Sequence, residues 1–153
     1  MDFHRLMAVL CWPMATQALL PLLHRFLGIG LVIVAVVFVG LRSFGIPEAF
    51  PPGQVTETLA YVMSGVGMAM AAFAILVTRR RVPPRRPGQS EEQYWATQEV
   101  AMAVMPVWFL LEGAGIVAGV GYLLTAAPVT AVTAVILIVV YWWYGPASFT
   151  QVA

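Results

Sequence analysis

Of the chain's 153 residues, 61% are hydrophobic and 10% charged, with a formal net charge of +1. Such a composition points to an integral membrane protein, and no polar stretch exceeds roughly twenty residues, too short to fold around its own core. The one cysteine, Cys11, excludes an intrachain disulfide and multi-cysteine zinc or iron–sulfur patterns. With only His4 and His24 present, a bis-histidine haem in the membrane is not expected either. No metal, cofactor or nucleic-acid partner is expected.

The stretch LMAVLCWPMATQALLPLL is interrupted by Pro13 and Pro21. It shows no convincing small-residue cleavage site, and only His24 and Arg25 separate it from the next apolar run. Residues 1–21 are therefore expected to form a broken helix at the membrane surface. Crossing the hydrocarbon takes about 20 apolar residues as helix. Four segments qualify: 22–41, 59–77, 100–124 and 126–144. Pro47, Pro51, Pro52 and Gly53 mark the first loop, Pro83, Pro84, Pro87 and Gly88 the loop 78–99, and Pro128 the tight last connection. The expected fold is all-α: one polytopic membrane domain of four transmembrane helices, because helices satisfy their own backbone groups where no water is present.

All eight basic residues are arginines, and Arg79, Arg80, Arg81, Arg85 and Arg86 fall together in loop 78–99. The excess of positive charge on cytoplasmic loops places that loop inside, together with Arg5 and Arg25; only Arg42 falls outside. Both termini are then cytoplasmic, in the inner (plasma) membrane of a bacterium. The cluster serves topology and can also meet anionic lipid headgroups. Tyr94, Trp95 and the run Tyr141–Tyr144 sit where interfacial aromatic belts belong, and His24 reads as a headgroup contact.

Glu112 lies twelve residues from each end of the third span, ~18 Å from either boundary, beyond snorkelling reach. A charged residue at such depth costs roughly 2.5–3.5 kcal/mol on insertion scales. No basic side chain occurs in spans two to four, so the neutral acid is expected unless another chain supplies a cation. At 100° per residue Gly115 and Gly119 share its face, a GxxxG pair that admits a close neighbour. Ser64 and Thr133 are polar groups of similar depth that could bond to it. Pro106 is expected to bend the helix and free carbonyls near the acid, a possible ion site. In the second span Gly65, Gly67, Ala69 and Ala71 alternate by two, thinning two adjoining faces for close packing.

Residues Thr58 to Leu124 resemble the helical hairpin of the c subunit (proteolipid) of rotary ATP synthases. GVGMAMA is similar to that family's inner-helix glycine run, with Ala69 and Ala71 at its third and fourth positions. Arg86-Pro87 falls in the polar loop, and EGAGIVAGVGYLL is similar to the segment following the family's carboxylate. The resemblance implies a cytoplasmic hairpin loop and a proton- or sodium-binding role for Glu112. With helices flanking the hairpin on both sides, the chain also looks like small four-helix bacterial membrane proteins. No Ser/His/Asp set, metal-ligand spacing or nucleotide loop occurs, so an enzyme is not expected. A non-catalytic subunit of a larger, energy-transducing membrane complex is. Its partners would be the bilayer and other membrane subunits, or copies of itself, met through small-residue helix faces. A proton-binding or proton-carrying protein using Glu112 is the alternative.

Overall fold

The computed structural model describes residues 3–46 and 50–150, with side chains from Leu19 onward. Among these residues every regular element is helical. Helix α1 is Phe3–Ser43 and α2 is Gln54–Phe73, the latter prolonged by a π turn, Ala74–Thr78, and a 3-10 turn, Arg79–Arg81. A short α3, Glu91–Trp95, precedes α4, Gln98–Thr125, and α5, Pro128–Trp143. Three stretches are long and apolar enough to cross a membrane: Leu19–Ser43, Gln54–Arg81 and Gln98–Thr125. Helix α5 is apolar but shorter, 16 residues or ~24 Å.

One expectation about the chain's course is corrected. The first helix is not broken at Pro13 or Pro21 but runs unbroken from Phe3 into the first apolar stretch; residues 1 and 2 lie outside the described residues. Each proline removes a single amide donor, whereas leaving the helix would strand several backbone groups. At 41 residues, ~61 Å, α1 is about twice the thickness of a bilayer's hydrocarbon. The loop 78–99 contains a short helix of its own. Ser90 and Gln93 form a reciprocal capping box that starts α3, and extended backbone at Thr97 separates it from α4. Glu91 and Glu92 thus belong to α3 and only Glu99 opens α4.

Helix α4 is the hub, touching α1, α2 and α5. Close approaches fix the directions. A Cβ added to Gly67 would meet the Ala114 carbonyl oxygen at 3.0 Å and one on Gly121 the Met63 Cβ at 2.9 Å, so α2 runs antiparallel to α4. Leu31 lies on Gly115 and Phe38 on Gly119, which makes α1 parallel to it. Thr130 packs at Gly121 while Tyr144 reaches Trp108, so α5 is antiparallel again. Ala126, with φ 53°, and Pro128 at the first helical position make the tight α4–α5 turn.

The core is drawn mostly from α4: Val104, Val107, Trp108, Leu111, Ala114 and Ala118 have no exposed surface. Outward-facing positions stay apolar, among them Ile33 and Val36 on α1 and Val135 and Val139 on α5. A hydrophobic exterior of this kind is compatible with a lipid-facing surface.

Candidate functional site

Glu112 is half-buried on α4. On the helical wheel Gly115 and Gly119, which receive Leu31 and Phe38 of α1, lie within roughly 60° of it on one side. The exposed Phe109 and Ile116 lie at similar angles on the other. The carboxyl therefore stands at the outer seam where α1 meets α4. Among the described residues it has no hydrogen bond or ion pair.

Neither polar partner expected from depth joins it. Ala114 and Gly121, which face α2, are roughly opposite Glu112 around α4. Ser64 is buried on α2, the helix packed on that far side, and its Oγ has no partner among the described residues. Thr133 donates to Val129 of its own helix at 2.8 Å. Pro106 does not supply a site either: the helix continues through it. The carbonyl freed by the missing amide belongs to Met102, ~15 Å along the axis from Glu112.

Along α4 the acid keeps its central depth, 14 residues from Gln98 and 13 from Thr125. Trp108, one turn before the acid, donates its indole N–H to the Tyr144 carbonyl at 3.0 Å, just past the end of α5. Measured against α5 alone, Glu112 is ~6 Å from the level at which that helix ends and ~20 Å from Thr125 at the other. The first ten residues of α4 run past the end of α5 and stay packed against the prolongation of α2, with Val104 and Val107 fully buried.

The small residues divide cleanly. Gly67 and Ala71 are buried against α4 and α5, and Gly115 and Gly119 against α1. Gly65 and Ala69 are exposed, and a Cβ on Gly65 would meet nothing within 4 Å. Alternation by two thus gives one packed face and one open face, not two packed ones.

The arginines gather at the end of the bundle beside Tyr144. Arg79 lies 4.9 Å from the Tyr144 ring and 5.9 Å from that of Phe149, within cation–π range. Arg85 pairs with Glu91 at 3.4 Å, while Arg80, Arg81 and Arg86 are exposed. The expected aromatic belt is only half present. Trp142 and Trp143 are exposed, but Tyr94, Trp95 and Tyr141 are core residues. Burial pushes the Tyr94 phenol above its ordinary value, and its hydroxyl donates to the Pro83 carbonyl at 3.0 Å.

A site absent from the sequence reading surrounds His24. Its side chain, 1% exposed, is not a headgroup contact. Tyr141 stacks on it at 4.5 Å with the planes 5° apart, Trp108 lies at 4.9 Å, and Trp142 meets it edge-on at 5.8 Å. The Tyr141 hydroxyl donates to the His24 carbonyl at 2.8 Å. Gly28 makes this possible, since a Cβ there would stand 2.9 Å from Tyr141 and Trp142. His24 Nε2 faces the Tyr141 carbonyl at 3.4 Å, and Nδ1 is buried without a partner. The ring forms part of the wall of a cleft of about 550 Å³, with Arg25, Glu91 and Glu92 around it and Trp95, Trp142 and Trp143 as its aromatic side. Gly28, four residues beyond His24, and the YWWY run were the signals available in the sequence.

Among the described residues no three of His, Cys, Asp and Glu gather closely enough to hold a metal ion. Comparison with family models, with curated proteins and with solved structures returns no match.

Proposed function

We propose that the chain is a four-span membrane protein with cytoplasmic termini, acting as a non-catalytic interaction subunit of a larger membrane assembly. The observation that carries this reading is the open Gly65-x-x-x-Ala69 face. The other small-residue pairs, Gly67/Ala71 and Gly115/Gly119, each receive a neighbouring helix, whereas this one, flanked by exposed Tyr61 and Met68, receives none. In lipid, helix association relies on close backbone approach, so an unfilled small-residue face suits a helix from another chain. Treating α5 as the fourth span rests on its apolar sequence and on the exposed Trp142 and Trp143 at its end. Native electrophoresis of mildly solubilised membranes tests the proposal. A band well above the monomer, lost when Gly65 and Ala69 are replaced by Ile, supports it. Migration as a lone monomer, or a band indifferent to both substitutions, sinks it.

A second reading, proton binding by Glu112 as the proteolipid resemblance implies, is favoured by one observation: the half-buried carboxyl has no polar partner among the described residues. A neutral carboxyl in an apolar seam should react with a hydrophobic carbodiimide, and Glu112→Gln should abolish the labelling. Absence of labelling in the wild-type protein would remove this reading.

A further inference from the structure

The cleft beside His24 has chemistry that neither the open α2 face nor Glu112 uses. It lies at the arginine end, level with Tyr144 and close to the exposed Trp143. On α1, Leu22 and Phe26, chain neighbours of the lining residues Pro21 and Arg25, present exposed apolar surface. Its volume of about 550 Å³ falls inside the ~300–1,000 Å³ range of small-molecule sites.

The charges lining it are of both signs. Glu91 is held by Arg85, but Arg25 and Glu92 have no ion pair among the described residues. Both are exposed, so water solvates them and neither demands a partner within the chain. Indole faces on the same wall favour an ammonium group, and Glu92 adds a counter-charge. Arg25 favours a phosphate. An anionic ligand would meet Glu91 and Glu92, and a simple cation would meet Arg25. A ligand carrying both charges a few ångströms apart meets neither penalty.

We propose that this cleft binds the head group of a zwitterionic phospholipid, phosphate toward Arg25 and ammonium toward Glu92 and the tryptophans. The acyl chains descend over Phe26 and Trp143. The lipid source rests on the membrane reading of the apolar helices; the charge pairing does not.

The test uses the full chain in detergent, titrated with short-chain phosphatidylethanolamine, phosphatidylcholine and phosphatidylglycerol and read by native mass spectrometry. The zwitterionic lipids should be retained over phosphatidylglycerol, and R25Q or E92Q should weaken them by about fivefold each. Both substituted side chains are exposed, so unchanged melting is expected. R80Q, an exposed arginine outside the cleft, should change nothing. Equal or better retention of phosphatidylglycerol, or variants that bind as the wild type does, overturns the site. Full displacement by soluble glycerophosphoethanolamine overturns the lipid source. Release of the protein by alkaline carbonate extraction would sink the membrane reading separately.

Discussion

Gly65 and Gly67 are two positions apart in α2 and live in opposite surroundings. At Gly67 a side chain would press on the Ala114 carbonyl and Leu137, rigid neighbours inside the bundle. Gly67→Leu is expected to cost about 1–3 kcal/mol by overpacking. Gly65→Leu should stay within about 0.5 kcal/mol in the isolated protein. Thermal unfolding in one detergent checks both, and equal losses would contradict the division of faces. Trp108→Phe keeps the ring but strands the Tyr144 carbonyl, with an expected loss of about 1–3 kcal/mol in the same assay. Sequence could find Glu112 and the small residues because their types are unusual in an apolar helix. Which face each one took depended on where α1 and α5 dock, and periodicity along α2 or α4 carries no record of that. His24 escaped for the same reason: its partners lie 84, 117 and 118 positions away on α4 and α5.

At the level of elements, the long apolar helices were legible because twenty consecutive apolar residues have few other stable states. The connections were less so. A five-residue α3 is too short to show periodicity, and it persists through its capping box and the burial of Tyr94 and Trp95. Tyr94 gives this element a pH signature. Burial favours the neutral phenol, so its folded-state value lies above the unfolded value near 10. The associated stability is fully present below that unfolded value and is lost as pH rises through the folded one. Alkaline titration should loosen α3 first, seen as earlier hydrogen exchange at residues 91–97. Tyr94→Phe should remove that pH dependence; its persistence in the variant would assign it elsewhere.

For the whole molecule, the arrangement is α4 surrounded by α1, α2 and α5, with Arg25 and the cluster Arg79–Arg86 at one end and Arg42 at the other. Charge asymmetry in the sequence foretold this sorting, since arginines resist burial in lipid wherever they occur. In a Cys11→Ser background, a cysteine at Gln89 should react with an impermeant maleimide only from the cytoplasmic side, and one at Gln54 only from the opposite side. The reverse pattern would invert the proposed topology.

The bond from the Tyr141 hydroxyl to the His24 carbonyl spans 117 positions and joins α1 to α5. During synthesis α1 must then wait, its docking groove incomplete, until Tyr141 has left the ribosome. A nascent chain halted after α4 would hold α1 by α3, the Trp108 ring and the Gly115 and Gly119 grooves but without the stacked Tyr141, leaving the His24 end of α1 open to capture by a quality-control protease.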